Sequence, residues 1–138
     1  MPNRSGRNTA YLHGQVLSHW TWLPPLRKQL AKAGGRFFNS GKQSVIKLLT
    51  PIGMRYDESY IQAFPFDKLM EGMVQPEMIL ETVDLMERAV NRGVLANIII
   101  NNRAGGNAPL LAQLLAVKFL QRVAPAPKPK GQLSLWDT

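Results

Sequence analysis

Two asparagines and an arginine follow an apolar run, and side chains of these types are suited to binding an anion. In the segment ANIIINNRAGGNAP, residues 96–109, the β-branched run ends at Asn101, Asn102 and Arg103 and continues through two glycines into a helix. A strand, a glycine-rich loop and a helix N-terminus in this order bring backbone N–H groups and the positive end of a helix dipole beside the arginine. The pattern predicts a site for a phosphate- or carboxylate-bearing small molecule.

The second half of this loop is predicted to supply the backbone part of the site. Gly105 and Gly106 would let the chain approach an anion closely, and Asn107 is a favourable N-cap for the following helix. A structural role is the alternative: the two preceding asparagines cap the end of the strand, and Arg103 pairs with an acid from residues 57–87. The sequence alone leaves both interpretations open.

The remaining sequence offers no set of residues that would carry out a reaction. His13 and His19 are six residues apart, without the H-x-x-x-H spacing of a helical metal site, and the chain has no cysteine. No Ser-His-Asp setting and no phosphate-loop or dinucleotide glycine pattern is present. We therefore predict neither a metal site nor a cofactor, and the sequence leaves open whether the protein is an enzyme.

Charge is distributed in three blocks along the chain, whose net charge is +8. Residues 1–55 contain nine Lys or Arg and no acid, residues 56–87 contain eight acids and one Lys, and residues 88–138 contain seven bases and one acid. The first block could contact nucleic-acid phosphates weakly, although solvated helix faces explain the same charges and no nucleic-acid-binding motif accompanies them. Its well-spaced bases are Arg4, Arg7, Arg27, Lys28, Lys32, Arg36, Lys42 and Lys47.

The first half of the chain predicts one strand and several short helical segments. Residues 11–21 have the aromatic and apolar content of a strand with a following loop, and LRKQLAKA, between a Pro-Pro and a Gly-Gly pair, is typical of a short helix. A brief helical turn is predicted for residues 44–49. A second is predicted for residues 57–63, where acids occupy the first turn.

The second half predicts a helix, a buried strand and another helix. The first helix covers residues 76–92, with a proline at its start and a glycine after it. Residues 94–100 are apolar on both faces, which is typical of a buried parallel strand, and the largely apolar helix after Asn107 is expected to be heavily packed. The expected core stripe of the first helix is Ile79, Val83, Met86 and Val90, widened by Leu80 and Ala89.

Length and composition predict one folded domain with short extensions. The chain has 138 residues, 45% of them hydrophobic, and residues 10–122 are predicted to form the domain. A flexible basic lead-in, residues 1–9, precedes it, and a Pro/Lys-rich linker with a tail peptide, residues 123–138, follows it. With no signal-peptide core, no run of 18 apolar residues and no cysteine, the expected setting is the cytoplasm, without membrane contact.

Three blocks of the chain occur in the order found in a known family. SHWTWLPPLRKQL, LLTPIGMRYDESYIQAFPFDKL and IIINNRAGGNAPLLAQLLA resemble the C-terminal part of the domain of unknown function 72 family, over about residues 10–121. The resemblance implies a TIM-barrel-like fold, and the family has no assigned activity. It adds Trp20, Tyr56 and Asp67 to the expected ligand-binding residues, and on that ground alone Tyr56 and Asp67 could transfer protons.

The resemblance covers only the last part of a barrel, and Ser18, Trp22 and Gly105 depart from residues common in the family. A (β/α)8 barrel needs about 250 residues, so we expect an incomplete, C-terminal part of a TIM-barrel-like α/β fold with an extended tail. A gene fragment, an incomplete gene model and a half-barrel completed by another copy each explain the length. An unpaired strand edge and an apolar inner face would favour a homo-oligomer or binding of the missing barrel half.

The C-terminal segment carries a motif of a different kind. Gln132, Leu133, Ser134, Leu135 and Trp136 resemble the bacterial sliding-clamp-binding peptide, whose usual form is Q-L-S/D-L-F. The Pro/Lys-rich linker would present this peptide, whose two leucines and tryptophan would fill an apolar groove while Gln132 makes polar contacts. The alternative function is therefore that of a DNA-associated protein recruited to the sliding clamp. Packing of the tail on its own domain through Trp136 is the competing explanation.

Overall fold

The computed structural model describes residues 16–124, which form an open parallel sheet and four α helices. The predicted α/β class is confirmed, and within these residues no helix is long and apolar enough to cross a membrane. The strands are β1 (Val16–His19), β2 (Gln43–Leu48) and β3 (Leu95–Ile100). The helices are α1 (Leu26–Lys32), α2 (Tyr56–Ala63), α3 (Pro76–Asn91) and α4 (Ala108–Val123), and a 3-10 turn covers Asn102–Ala104.

The three strands are parallel and follow chain order in the sheet, with β2 in the centre. Leu17 lies beside Ile46, and Ile46 lies beside Ile98, so these side chains share one face of the sheet. Each connection between neighbouring strands contains a helix, as parallel pairing requires. No described strand joins β1 to β3, so residues 16–124 form an open sheet and do not close a barrel.

Helices α1, α3 and α4 cover one face of this sheet and form a single hydrophobic core with it. No described helix covers the opposite face, on which Val16, Leu95 and Ile99 are 52%, 60% and 49% exposed. The domain therefore has two layers, and one sheet face is open. The core contains Leu17, Leu26, Leu30, Phe37, Ile46, Leu48, Met78, Val83, Leu85, Ala89, Leu111 and Leu115.

Helices α1 to α4 occur where the sequence predicts them, but the helical turn predicted for residues 44–49 is wrong, because residues 44–48 belong to β2. Ser44, Ile46 and Leu48 are buried and alternate with half-buried residues, which is the two-residue period of a strand. Strands on both sides supply the backbone hydrogen bonds of β2. The apolar run is too short for its period to distinguish a helix from a strand, so neighbouring strands decide its conformation.

Strand β3 and helix α4 are less buried than the sequence predicts. Within the described residues β3 is an edge strand whose outward face is uncovered. In α4 the buried residues are Leu111 and Leu115, whereas Val117 and Leu120 are 45% and 62% exposed. The reason is the same for both elements, since each has neighbours on one side only.

The core stripe of α3 is also displaced from its predicted position. Val83 and Ala89 are buried as expected, but Leu80 and Val90 are 45% and 62% exposed. The buried side of the helix also includes Met78, Glu81, Thr82 and Leu85. Because Thr82 and Glu81 are polar residues on the buried side, hydrophobic periodicity alone does not identify which face of this helix is buried.

Candidate functional site

The carboxyl ends of the three strands bring their following loops to one edge of the sheet. His19, Leu48 and Ile100 lie at this edge, because the strands are parallel. The Asn101 N–H donates to the carbonyl of Leu48 at 2.8 Å, and α2 packs against the 3-10 turn that follows β3. The candidate anion site predicted from the sequence therefore adjoins the α2 segment.

Asn101 and Asn102 use their side-chain oxygens to hold the loop after β3. Asn101 Oδ1 accepts from the Arg103 N–H at 3.0 Å, and Asn102 Oδ1 accepts from the Ala108 N–H at 2.8 Å. Their Nδ2 groups have no hydrogen-bond partner among the described residues. Each side chain thus combines an acceptor that shapes the loop with a donor that is available to a ligand.

The backbone donors expected to bind an anion are instead occupied within the loop. The Gly106 N–H donates to the carbonyl of Asn102 at 2.7 Å, and the Leu110 N–H donates to Asn107 Oδ1 at 2.8 Å. The Leu111 N–H donates to the carbonyl of Asn107 at 3.0 Å. These N–H groups of the loop and of the first turn of α4 are therefore occupied, which leaves side chains as the main donors for an anion at this edge.

The two glycines serve close packing of the loop against residues 68–74. A Cβ on Gly106 would lie 2.3 Å from the carbonyl oxygen of Lys68, and the φ angle of Gly106 is +111°. A Cβ on Gly105 would lie 2.9 Å from Val74 Cγ2, and the Gly105 carbonyl accepts from the Met70 N–H at 2.8 Å. Both glycines therefore let two chain segments approach each other, rather than letting the chain approach a ligand.

Asn107 connects the start of α4 to Phe66, an aromatic residue in the loop between α2 and α3. Its Nδ2 donates to the carbonyl of Phe66 at 2.8 Å, and the Phe66 N–H donates to the carbonyl of Ala63 at 2.7 Å. Phe66 has a φ angle of +66°, which is uncommon for a residue other than glycine. These two hydrogen bonds hold Phe66 in that conformation, so Asn107 is a positioning residue for the aromatic ring.

Arg103 has no acidic partner within residues 16–124. Its guanidinium carbon lies 4.0 Å from the centroid of the Tyr56 ring, a cation–π arrangement. The Arg103 Nε is buried and has no hydrogen-bond acceptor among the described residues. The ion pair with an acid of residues 57–87, which was the structural alternative for this arginine, is absent from the described part of the chain.

A cleft of about 390 Å³ lies beside this arginine. Two aromatic rings, Tyr60 and Phe66, form one wall at 5.2 Å between centroids. Phe64 stacks on Tyr60 and lies edge-on to Phe66. The sequence pattern does not single out these rings, because three aromatic residues near a helix end are ordinary candidates for a core. The lining residues are Tyr60, Phe66, Ile100, Asn101, Asn102, Arg103 and Ala108.

The other predicted site residues lie outside this cleft. Tyr56 contacts Arg103 from its 59% exposed position, whereas exposed Asp67 and half-buried Trp20 do not line the cleft. The tail residues predicted to bind a partner lie outside the described residues. They are Gln132, Leu133, Leu135 and Trp136.

His19 is a buried part of the same sheet edge, and it lines a neighbouring cavity of about 490 Å³. Gln75 Oε1 accepts from the Ile52 N–H at 3.0 Å and lies 2.9 Å from His19 Nε2, so the histidine is the donor and carries its proton on Nε2. Burial lowers the pKa of His19, and the hydrogen bond to Gln75 offsets this only in part. In the described residues no group of three His, Asp or Glu could hold a metal ion.

The basic residues of the first charge block do not form one surface. Lys47 lies on the open sheet face, Arg27 is in the first turn of α1 at the carboxyl edge, and Lys42 precedes β2 at the opposite edge. Arg4 and Arg7 lie outside the described residues.

Comparison with protein-family models, with curated proteins and with solved structures found no match to the chain.

Proposed function

We propose that the protein binds a small molecule with a carboxylate or phosphate group in the cleft beside Arg103. The observation that supports this most strongly is the guanidinium itself, which is fixed against Tyr56 and has no acid beside it in the described residues. A cation that is held in position without a counter-ion is suited to binding an external anion. The amide donors of Asn101 and Asn102 line the same cleft and would bind the remaining anion oxygens.

The cleft also favours an apolar or planar group next to that anion. Tyr60 and Phe66 supply an aromatic wall, and Ile100 and Ala108 complete an apolar lining. Arg103 is the one charged residue among those that line the cleft. A ligand such as an aromatic acid or an aryl phosphate matches this lining better than a bare inorganic ion does.

The proposed role is binding, with no reaction assigned to it. Among the lining residues, Tyr60 carries the sole hydroxyl group, and no carboxylate or imidazole is present to act as a base. Tyr56 and Asp67, which the family resemblance offers as proton-transfer groups, lie outside the lining. The proposed chemistry is therefore recognition through charge and stacking.

The wider architecture that we propose is a segment of a TIM-barrel-like fold of the domain of unknown function 72 type. Parallel strands in chain order, helices on one face and a cleft at the carboxyl ends of the strands are the features that support it. The open face of the sheet would then correspond to the inside of the barrel. Further βα units, from the missing half or from another copy, would pair with β1 and β3.

Calorimetric titration with three matched probes tests the binding proposal. Phenyl phosphate should bind more tightly than inorganic phosphate, since it also contacts the aromatic wall, and benzyl alcohol should not bind measurably. The Arg103→Gln variant should lose about tenfold or more in affinity for phenyl phosphate, because a charge-assisted hydrogen bond contributes about 1.5–3 kcal/mol.

The matched control is Arg88→Gln, which removes one positive charge from an exposed position on α3. This variant should bind phenyl phosphate as the unmodified chain does. Equal affinities for the unmodified chain and Arg103→Gln would contradict the proposal, and so would binding of benzyl alcohol at the same strength.

A second candidate function depends on the motif of residues 132–136 alone. We propose as this alternative that QLSLW binds a bacterial sliding clamp and recruits the protein to DNA, in a cytoplasmic setting. Surface plasmon resonance with an immobilised clamp tests it. Replacing Leu135 and Trp136 together by alanine should abolish binding, whereas Arg103→Gln should leave it unchanged, so the two functions are separable.

A further inference from the structure

The surface of the helical layer has an apolar groove that is distinct from the Arg103 cleft. Helices α3 and α4 leave a groove of about 480 Å³ between them. Its apolar lining includes Val74, Ile79, Leu80 and Leu114, and Leu80 is 45% exposed. An apolar groove of this size on a helical surface is typical of a binding site for an extended or helical segment.

The rim of this groove carries a positive charge at Lys118. Lys118 and Arg122 of α4 line it, and Arg122 also pairs with Asp84 and Glu87 of α3. Lys118 has no ion pair among the described residues. A segment with apolar side chains and one nearby acid would therefore match both the floor and the rim of the groove.

The chain itself carries such a segment after α4. Residues 125–138 contain Leu133, Leu135 and Trp136, followed by Asp137, which is the one acid in that segment. We propose that these three apolar residues dock in the groove between α3 and α4, with Asp137 beside Lys118. The segment would thereby cover apolar surface of its own domain, and this docking would compete with clamp binding through the same residues.

The length of the connection allows this docking. Nine residues, 124 to 132, separate Val123 from Leu133, and they span roughly 28 Å at about 3.1 Å per residue when extended. Along α4, Val123 lies roughly 14 Å from Leu114, at about 1.5 Å per residue. A tether of this length gives an effective concentration on the order of millimolar, so even a weak groove affinity suffices.

Paramagnetic relaxation enhancement on the full chain tests the proposal. The chain has no cysteine, so Ser134→Cys gives one attachment site for a nitroxide label. The amide signals of Leu80 and Lys118 should lose intensity strongly, whereas that of Val90, on the last turn of α3, should not. Val90 is the matched control. It is 62% exposed, and it lies at the side of the layer where α4 ends and the tail begins, so a tail that stays near its attachment point without docking would not spare Val90 relative to Leu80.

Two further samples separate the remaining outcomes. In the labelled chain, replacing Leu135 and Trp136 by alanine should restore the Leu80 and Lys118 signals to the level of Val90. A mixture of isotope-labelled chain without nitroxide and unlabelled chain with nitroxide should show no loss at these residues. A loss in the mixture would mean that the groove binds another copy, and uniform loss or none in the first sample would overturn the docking.

Discussion

Arg103 and Gly106 lie three residues apart in one loop and have different physical roles. Arg103 carries a charge that no described acid neutralises, whereas Gly106 provides the space for the Lys68 carbonyl. The sequence predicts that both contribute to an anion site, because a glycine pair before a helix is common in such sites. It cannot show that segment 68–70 occupies the space next to the glycines, since that contact joins residues far apart in the chain.

Replacing Gly106 by alanine should destabilise the domain strongly. The new Cβ would lie 2.3 Å from the backbone carbonyl oxygen of Lys68. Together with the strained φ, this contact should lower the free energy of unfolding by roughly 3 kcal/mol or more. Gly34→Ala is the control, because Gly34 also has a positive φ, of +66°, but a Cβ added there would have no neighbour within 4 Å. Its expected cost is about 1 kcal/mol. Urea unfolding of both variants compares the two, and equal losses would refute the packing role.

The stability of the domain should decrease as the pH falls below about 6.5, the ordinary pKa of histidine. Burial lowers the pKa of His19 in the folded state, so the unfolded chain takes up a proton that the folded chain does not. The free energy of unfolding decreases over the pH range between the ordinary pKa of histidine and the lowered pKa of folded His19, by up to about 1.4 kcal/mol per pH unit. Urea unfolding from pH 8 to pH 5 measures it. His19→Gln should have a shallower pH profile, and an unchanged profile would contradict this explanation.

At the scale of elements, strong patterns predict the helices and weak ones leave β2 undecided. Helix α3 has a proline at its start and a glycine after it, and α4 has an N-cap asparagine whose Oδ1 accepts from Leu110. These signals are local, so the sequence alone predicts both helices. The conformation of residues 44–48 depends on hydrogen bonds to β1 and β3, which no local signal encodes.

The two-layer arrangement predicts that replacing an isoleucine lowers the free energy of unfolding by different amounts on the two faces of the sheet. Ile46 is fully buried on the helix-covered face, so Ile46→Ala should cost about 2–5 kcal/mol. Ile99 of β3 is 49% exposed on the open face, and Ile99→Ala should cost about 0.5 kcal/mol or less. Chemical unfolding at low protein concentration measures both. Similar losses at the two positions would contradict the two-layer arrangement.

At the scale of the whole molecule, the open sheet face and two strand edges lack partners within residues 16–124. Val16, Leu95 and Ile99 are exposed on that face, and β1 and β3 each pair with β2 alone. The sequence pattern of residues 94–100 predicts burial on both sides. The pattern and the structure agree if further βα units cover this face, as in the barrel-like architecture that we propose.

The open face should make the protein self-associate as its concentration rises, because exposed apolar surface beside unpaired strand edges favours association. Sedimentation velocity over a concentration series measures this. Ile99→Lys should shift the equilibrium towards the monomer. Val90→Lys, at a 62% exposed position on α3, is the control and should leave it unchanged. A monomer at all concentrations, or equal effects of both variants, would rule out association through the sheet.

The most direct measurement of the central proposal follows the Arg103 side chain itself during a nuclear magnetic resonance titration with phenyl phosphate. We predict that the Nε–H signal of Arg103 and the side-chain amide signals of Asn101 and Asn102 shift together and saturate at one ligand per chain. The Nε–H signal of Arg88 should not move. Shifts of equal size at both arginines, or no saturation at Arg103, would contradict a specific anion site in this cleft.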